Sequence, residues 1–380
     1  MRNQWRVICA AAGLALLLSG CGQAQVQNEK REVVDKEGKR LTVIDQADPV
    51  EKVQNQVVLD KIDILKGMRG MDWLSEDQLV VARKNVQLAK EQPVTRQTDD
   101  GELSTKEHPF FNLYVHDLGT GQDRLLHGEQ ADQTAAVVSP DKAHIFYKKT
   151  VGETGNGFIM DVATGTPVQT GKEELTYMVG EWADAEHVVM SSIEGSLLQA
   201  DVRGNVETVL KTGETPGSLY SVSRRGDLYY YIVNREELKL YNAATKEKKL
   251  LMKDTVWATP SQDGRRLAIV RRTKDIETEL MFSDPEGKTT TSIAKGTQIF
   301  GSSWSPDGKF LAYTVTKENS TSSNLFVVEA ETGRATQLAL EIPYIADPVK
   351  WSPSGKQLMV SSSVIEGRGI NFEMYVIKLK

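Results

Sequence analysis

The residues best equipped to move protons or hold a metal are the five histidines, His108, His116, His127, His144 and His187, and no two have the close spacing of a helical zinc motif. His116, His144 and His187 fall in strand-like runs, where a solvated or hydrogen-bonded role is the commoner one. No Gly-x-Ser-x-Gly elbow is present, and no phosphate-cradling glycine loop precedes a helix. The pairs Asp263-Gly264 and Asp307-Gly308 lack the regular acidic spacing of an EF-hand loop and belong to turns. The two cysteines, Cys9 and Cys21, both lie near the start of the chain. These observations predict no catalytic residues, no metal and no cofactor, and a chain that is not an enzyme.

The elements that carry these residues repeat. Ser303-Trp304-Ser305-Pro306-Asp307-Gly308 reads as a strand end and a type I turn, with Ser first, Pro fixing φ second and Gly fourth. Phe310 to Val315 is then a strand. Copies aligned on Trp304 start at residues 73, 138, 182, 222, 260, 304 and 351. After a first interval of 65, the spacings of 44, 40, 38, 44 and 47 match the length of a four-stranded propeller blade. Trp73, Trp182, Trp304 and Trp351 share one repeat position, which assigns them to packing between blades.

The last copy ends on its third strand, Glu373 to Leu379, and lacks a fourth. An open edge there is an aggregation liability. The segment Asp60 to Leu65, just before the first copy, is available to fill it and close the ring. The expected fold is all-β: a single propeller of four-stranded antiparallel blades, seven in number, over residues 41–380.

The pattern Trp-Ser-Pro-Asp-Gly-Lys-x-Leu-Ala-Tyr resembles the repeat of the TolB-like, WD40-like propellers, also seen in the propeller domains of prolyl oligopeptidase-type peptidases. The resemblance is strongest at 304–313 and 351–360 and extends over about residues 60 to 380. It implies fold and says little of function. No α/β-hydrolase segment follows it in this chain.

Arg2 and Arg6 precede an apolar run, Val7 to Leu18, too short to span a membrane. The Leu18-Ser19-Gly20-Cys21 tetrapeptide that follows resembles the bacterial lipoprotein signal, and the resemblance implies a lipid on Cys21 and removal of residues 1–20. Residues 21–40 then read as a flexible polar tether. Loss of Arg2 and Arg6 moves the formal charge from −6 to −8, which excludes nucleic acid as a partner and leaves the lipid as the membrane link.

The repeated turns lie on one face of the expected ring and the irregular connections on the other, which marks the irregular face as the binding side. The largest insertion, Arg83 to Pro109, is there as a lid, a partner-binding loop or a disordered excursion. Arg69, Tyr177, Tyr220, Trp257 and Tyr344 feed the innermost strands at that face and are the candidate ligand contacts. The expected function is a monomeric, membrane-tethered, extracytoplasmic binding or scaffold module for a protein, peptide or cell-envelope glycan. The alternatives are a propeller-based hydrolase or lyase on carbohydrate or peptide, and a sensory module of a membrane regulator.

Overall fold

A computed structural model describes residues 29–34, 40–45, 57–97, 103–151, 154–175, 180–274, 276–316, 318–366 and 369–380. The expected signal peptide, Cys21 and Tyr177 lie outside the described residues. β1 (Glu29–Val34) and β2 (Arg40–Asp45) pair with each other as a two-stranded antiparallel sheet.

The rest is a ring of seven four-stranded antiparallel sheets. β3 (Leu59–Lys66) comes first in the ring's sequence but completes the last blade. Blade one is β4 (Arg69–Trp73), β5 (Gln78–Gln97), β6 (Leu103–Asp117) and β7 (Asp123–His127). Blade two is β8 (Asp132–Val138), β9 (His144–Val151), β10 (Thr154–Asp161) and β11 (Pro167–Gln169). Blade three is β12 (Glu181–Trp182), β13 (His187–Ser191), β14 (Ser196–Asp201) and β15 (Val206–Lys211). Blade four is β16 (Leu219–Arg225), β17 (Leu228–Val233), β18 (Glu237–Asn242) and β19 (Glu247–Lys253). Blade five is β20 (Thr255–Pro260), β21 (Leu267–Lys274), β22 (Glu277–Ser283) and β23 (Thr290–Gly296). Blade six is β24 (Gln298–Trp304), β25 (Phe310–Thr316), β26 (Ser322–Glu329) and β27 (Ala335–Pro343). Blade seven is β28 (Lys350–Trp351), β29 (Gln357–Glu366) and β30 (Gly369–Leu379), with β3 as its outer strand.

The second strand of each blade is apolar on both faces because both are covered by neighbouring blades. Tyr229, Tyr230, Tyr231, Ile232 and Val233 of β17 are all buried. The core is accordingly divided into seven apolar clusters, each filling one interface between adjacent blades. In five blades the third strand shifts register against the fourth just after a fully buried leucine: Leu113, Leu197, Leu238, Leu280 and Leu325. Such bulges increase local twist, and a twisted blade is what a closed ring of sheets requires.

The shared tryptophans clasp blade to blade. Each indole N–H donates to the carbonyl one residue before the repeat position of the preceding blade: Trp182 to Val137 at 3.0 Å, Trp304 to Thr259 at 2.9 Å and Trp351 to Ser303 at 2.9 Å. Trp73 donates to Lys350 at 3.2 Å, so the same clasp joins the first blade to the last. Blade four has Val222 at this position and uses Arg225 instead, which reaches Glu181 of blade three at 2.6 Å and the Ser261 carbonyl of blade five at 2.9 Å.

The closing seam is stitched from one face to the other. Gly70 N–H donates to Ser361 Oγ at 2.9 Å, and that hydroxyl donates back to the Gly70 carbonyl at 3.1 Å. A Cβ on Gly70 would collide with Met359 and Met374, so glycine is required for this close approach. Glu76 accepts from the Ser354 backbone and hydroxyl and from Gln357.

Candidate functional site

Chain direction sorts the connections onto two faces. First-to-second and third-to-fourth strand turns share one face, and the first-to-second turn is built alike in four blades. At Ser305 the Gly308 N–H closes the turn at 2.9 Å, the Ser305 hydroxyl donates to Asp307 at 2.7 Å, and Gly308 takes φ +69°. Ser139, Ser261 and Ser352 open the same turn in blades two, five and seven. The second-to-third hairpins and the links between blades occupy the other face and differ from blade to blade.

The insertion in blade one is an extension of its own sheet. β5 runs out to Gln97 and β6 returns from Leu103, paired antiparallel with register breaks between Asn85 and Lys90 and between Pro93 and Gln97. The base of this ribbon is held by buried amides. Asn85 donates to Asn112 at 3.0 Å, and Asn112 donates to the Glu129 and Ala131 carbonyls at 3.0 and 3.1 Å. In the neighbouring blade seven, β29 and β30 pair out to Glu366 and Gly369. Blades three and four turn back soon after Ser191 and Val233, so the irregular face is highest around blades seven and one.

This face also carries the most exposed large apolar side chains: Val86 at 73%, Ile365 at 71%, Ile276 at 63%, Ile370 at 59% and Tyr344 at 48%. The other exposed large apolar residues among those described reach at most 43%, and they sit on outer strands or at Val58. Ile365 and Ile370 are cross-strand partners, so the blade-seven hairpin presents a pair of branched aliphatics together.

Two of the candidate contacts meet on one segment beside that hairpin. Arg69 makes a two-pronged pair with Asp347, both nitrogen–oxygen distances being 2.7 Å. Its guanidinium lies 4.9 Å from the centroid of Phe372, which packs edge-on against Phe111 at 5.5 Å. Lys84 stands 5.7 Å over Phe111. Burial works against the Arg69 charge, and the Asp347 carboxylate more than restores it. Three residues before Asp347, Tyr344 adopts φ +42°, a costly conformation for a bulky side chain. Its N–H donates to Thr321 at 2.8 Å and its carbonyl accepts from Ser363 at 2.9 Å, which holds the strained backbone while the ring stays open to solvent.

Tyr220 and Trp257 lie on the first strands of blades four and five and pack against different core clusters. Tyr220 accepts a hydrogen bond from Arg235, whose guanidinium stacks 4.1 Å from the tyrosine ring centroid. Trp257 donates to Thr259 at 2.9 Å and packs edge-on against Phe300 at 5.8 Å. The structure thus places Tyr344 on the segment that carries Asp347, the partner of Arg69, and puts Tyr220 and Trp257 in separate clusters. Ile365 and Ile370 fall in the short insertion Val364 to Asn371, which the sequence already places between second and third strands on the irregular face. Asp347 and Phe372 are not among the residues singled out by sequence.

The histidines are dispersed. His116 is buried and shares Asp123 with Arg83, its Nδ1 lying 2.7 Å from the carboxylate. Burial, with the Arg83 charge, pushes its pKa down. His187 pairs with Asp184 at 2.9 Å. His144 Nδ1 is buried without a partner. Among the described residues no three His, Cys, Asp or Glu side chains converge as a metal-binding group.

Comparison with known proteins places the chain among bacterial β-propellers. Residues 251–352 match the lipoprotein LpqB β-propeller domain family, over the blades with the clearest repeat. A curated relative, the uncharacterized peptidase YuxL of Bacillus subtilis (strain 168), is 31% identical over 137 residues, and the match spans 20% of its length. Among solved structures, an oligogalacturonate lyase in complex with manganese is similar with TM-score 0.60 and 14% identity, covering 93% of this chain and 96% of that one. The oligogalacturonate lyase of Vibrio parahaemolyticus is similar with TM-score 0.59 and 13% identity, covering 92% and 96%. The Cps50 (Swd1) β-propeller domain of Myceliophteria thermophila follows with TM-score 0.55 and 12% identity, covering 86% and 100%.

These likenesses show a shared fold, and they correct one expectation. The lack of a recognisable catalytic motif led to the reading that the chain is not an enzyme. A ring of nearly the same extent serves as a lyase. Propeller sites are assembled from side chains distant in sequence, so a missing linear motif does not argue against catalysis.

Proposed function

We propose that this protein is an extracytoplasmic propeller, held to a bacterial membrane by lipid on Cys21, that binds an envelope protein, peptide or glycan through its irregular face. The observation that carries this reading is the cross-strand pair Ile365 and Ile370, exposed together on the face that also exposes Val86, Ile276 and Tyr344. Adjacent apolar side chains left in water mark an interaction surface. The Tyr344 strain adds to it, since such backbone persists where the surroundings enforce it and tends to cluster at working sites.

The test is capture from a detergent-solubilised envelope with a form beginning at Gly22. The wild-type chain is expected to recover a specific protein or glycan, and the Ile365→Ser/Ile370→Ser double variant to recover at least about tenfold less. Equal recovery by both, or none by the wild type, defeats the proposal. Metabolic labelling with palmitate, lost in Cys21→Ser, tests the anchor separately.

A second reading, a lyase or hydrolase on carbohydrate or peptide, takes its support from the architecture shared with oligogalacturonate lyase. Incubation with oligogalacturonate and Mn²⁺, followed by absorbance of a newly formed double bond, distinguishes it.

A further inference from the structure

The seam between blades seven and one differs from the other interfaces in what fills it. Three of the seven buried residues of its core cluster are methionines, Met68, Met359 and Met374, and no other cluster holds more than two. Met359 on β29 and Met374 on β30 pack with Trp73, Leu79 and Val81 of blade one. Their sulfurs lie within 2.6 Å of the place that a Cβ on Gly70 would occupy, so both thioethers rest on one bare stretch of β4 backbone. Gly70 is also where the seam is stitched, its N–H and carbonyl both engaged by Ser361 Oγ. Met374 itself pairs with Ser361 on one side and with Leu65 of β3, the closing strand, on the other. Packing, stitch and closure therefore meet at one point.

A thioether suits that point and its oxide does not. The thioether is apolar, soft and unbranched, and it asks for no hydrogen bond. A sulfoxide adds an oxygen that must find a donor or lie buried without one. The Gly70 N–H is already given to Ser361, and there is no spare volume, since even a methyl carbon on Gly70 would collide with both sulfurs. Oxidation of either methionine thus competes with the stitch or pushes the blades apart. Both side chains are buried in the closed ring, so an oxidant reaches them only when the seam has parted locally.

We infer that this seam is a redox-sensitive joint, in which a peroxide that meets the transiently parted ring converts Met359 and Met374 to sulfoxides and keeps the ring open. In each step a sulfur lone pair attacks one peroxide oxygen, and the S–O bond forms as the O–O bond breaks. Sulfur gives up two electrons, and the proton of the transferred hydroxyl passes to the departing oxygen, which leaves as water. A methionine sulfoxide reductase driven by a dithiol reverses the change, the oxygen leaving as water and the dithiol becoming a disulfide. The joint controls closure because β3 runs directly into β4 of blade one while its hydrogen bonds are made to β30 of blade seven. Separating the two blades draws β3 away from its partner.

Hydrogen peroxide treatment of the chain, with sulfoxide at each methionine followed by peptide mass spectrometry and amide exchange measured on the product, tests this. Met160 and Met281, buried in other interfaces, are the internal reference. Met359 and Met374 are expected to oxidise before these two. Exchange along β30 should become at least about tenfold faster, the scale of one buried polar group left without a partner, and return to its first rate after treatment with the reductase and dithiothreitol. The Met359→Leu/Met374→Leu variant is expected to keep slow exchange in β30 through the same treatment. If that variant does not fold, the order of oxidation and the reversal by the reductase still decide the matter in the wild type. Oxidation of Met160 and Met281 ahead of the seam methionines overturns the inference. A doubly oxidised chain whose β30 exchanges as slowly as before, or a folded variant that loosens as much as the wild type, overturns it as well.

Discussion

At the scale of single residues, the turn chemistry allows the sharpest tests. Gly308 sits at φ +69° with open space where a Cβ would go, so Gly308→Ala isolates backbone strain from steric clash. It should cost about 1–2 kcal/mol in denaturant unfolding. Trp73→Phe removes the clasp to Lys350 and leaves that carbonyl unpaired at the closing seam, an expected loss of about 1–3 kcal/mol. Turn carboxylates set the acid limit. Hydrogen bonds from Thr289, opposed by burial and joined by the backbone N–H groups, hold Asp284 down at about 2. Its stabilising effect is therefore complete above the ordinary carboxyl range near 3.9 and disappears as the pH falls towards 2. Asp284→Asn should lower the melting temperature at pH 6 and have no effect near pH 2. His116 acts in the same direction at a higher pH. It is held neutral in the fold, so stability falls as the pH drops below about 6.5, where the unfolded chain takes up the proton. The turn residues were legible in the sequence because Ser, Pro, Asp and Gly have local conformational preferences. Tyr344 was noticed as an aromatic near a strand start, but its positive φ was hidden, because it arises from bonds to Thr321 and Ser363 supplied by other strands.

Among the elements, the strands were the easiest to read and their exposure the hardest. Apolar runs located the middle strand of each blade, and the unfilled last blade pointed to the segment that becomes β3. The insertion after Arg83 was not legible as a ribbon. Its polar residues do not alternate cleanly, and its pairing comes from continuing a sheet whose base is fixed by Asn85, Asn112 and Glu129. The described residues just beyond that base, Val86 to Ala89, belong to none of the seven core clusters. Replacing residues 87–108 with an Asn-Gly turn should therefore leave the melting temperature within a few degrees, a change of about 1 kcal/mol or less. Failure to fold would show that the ribbon shares in the core. Ile365 and Ile370 belong to an irregular connection, Val364 to Asn371, yet their exposure was not legible, since a branched aliphatic in a hairpin reads alike whether a neighbouring blade covers it or not.

For the molecule as a whole, closure decides stability. Deleting residues 57–66 strips β30 of its partner and leaves an unpaired edge, so the truncated protein should elute from size exclusion as aggregate. The joint also fixes an order of events. β3 leaves the ribosome before every other strand of the ring, yet pairs with β30, with Leu59 set against Leu379. It must wait, unpaired, until the chain is almost fully synthesised and delivered. A contact between such distant parts of the chain closes slowly. Lys380 donates to the Val58 carbonyl at 2.8 Å, so moving the 57–66 segment behind Lys380 through a short turn makes that pairing local. The permuted protein should refold faster than the natural order while melting at nearly the same temperature.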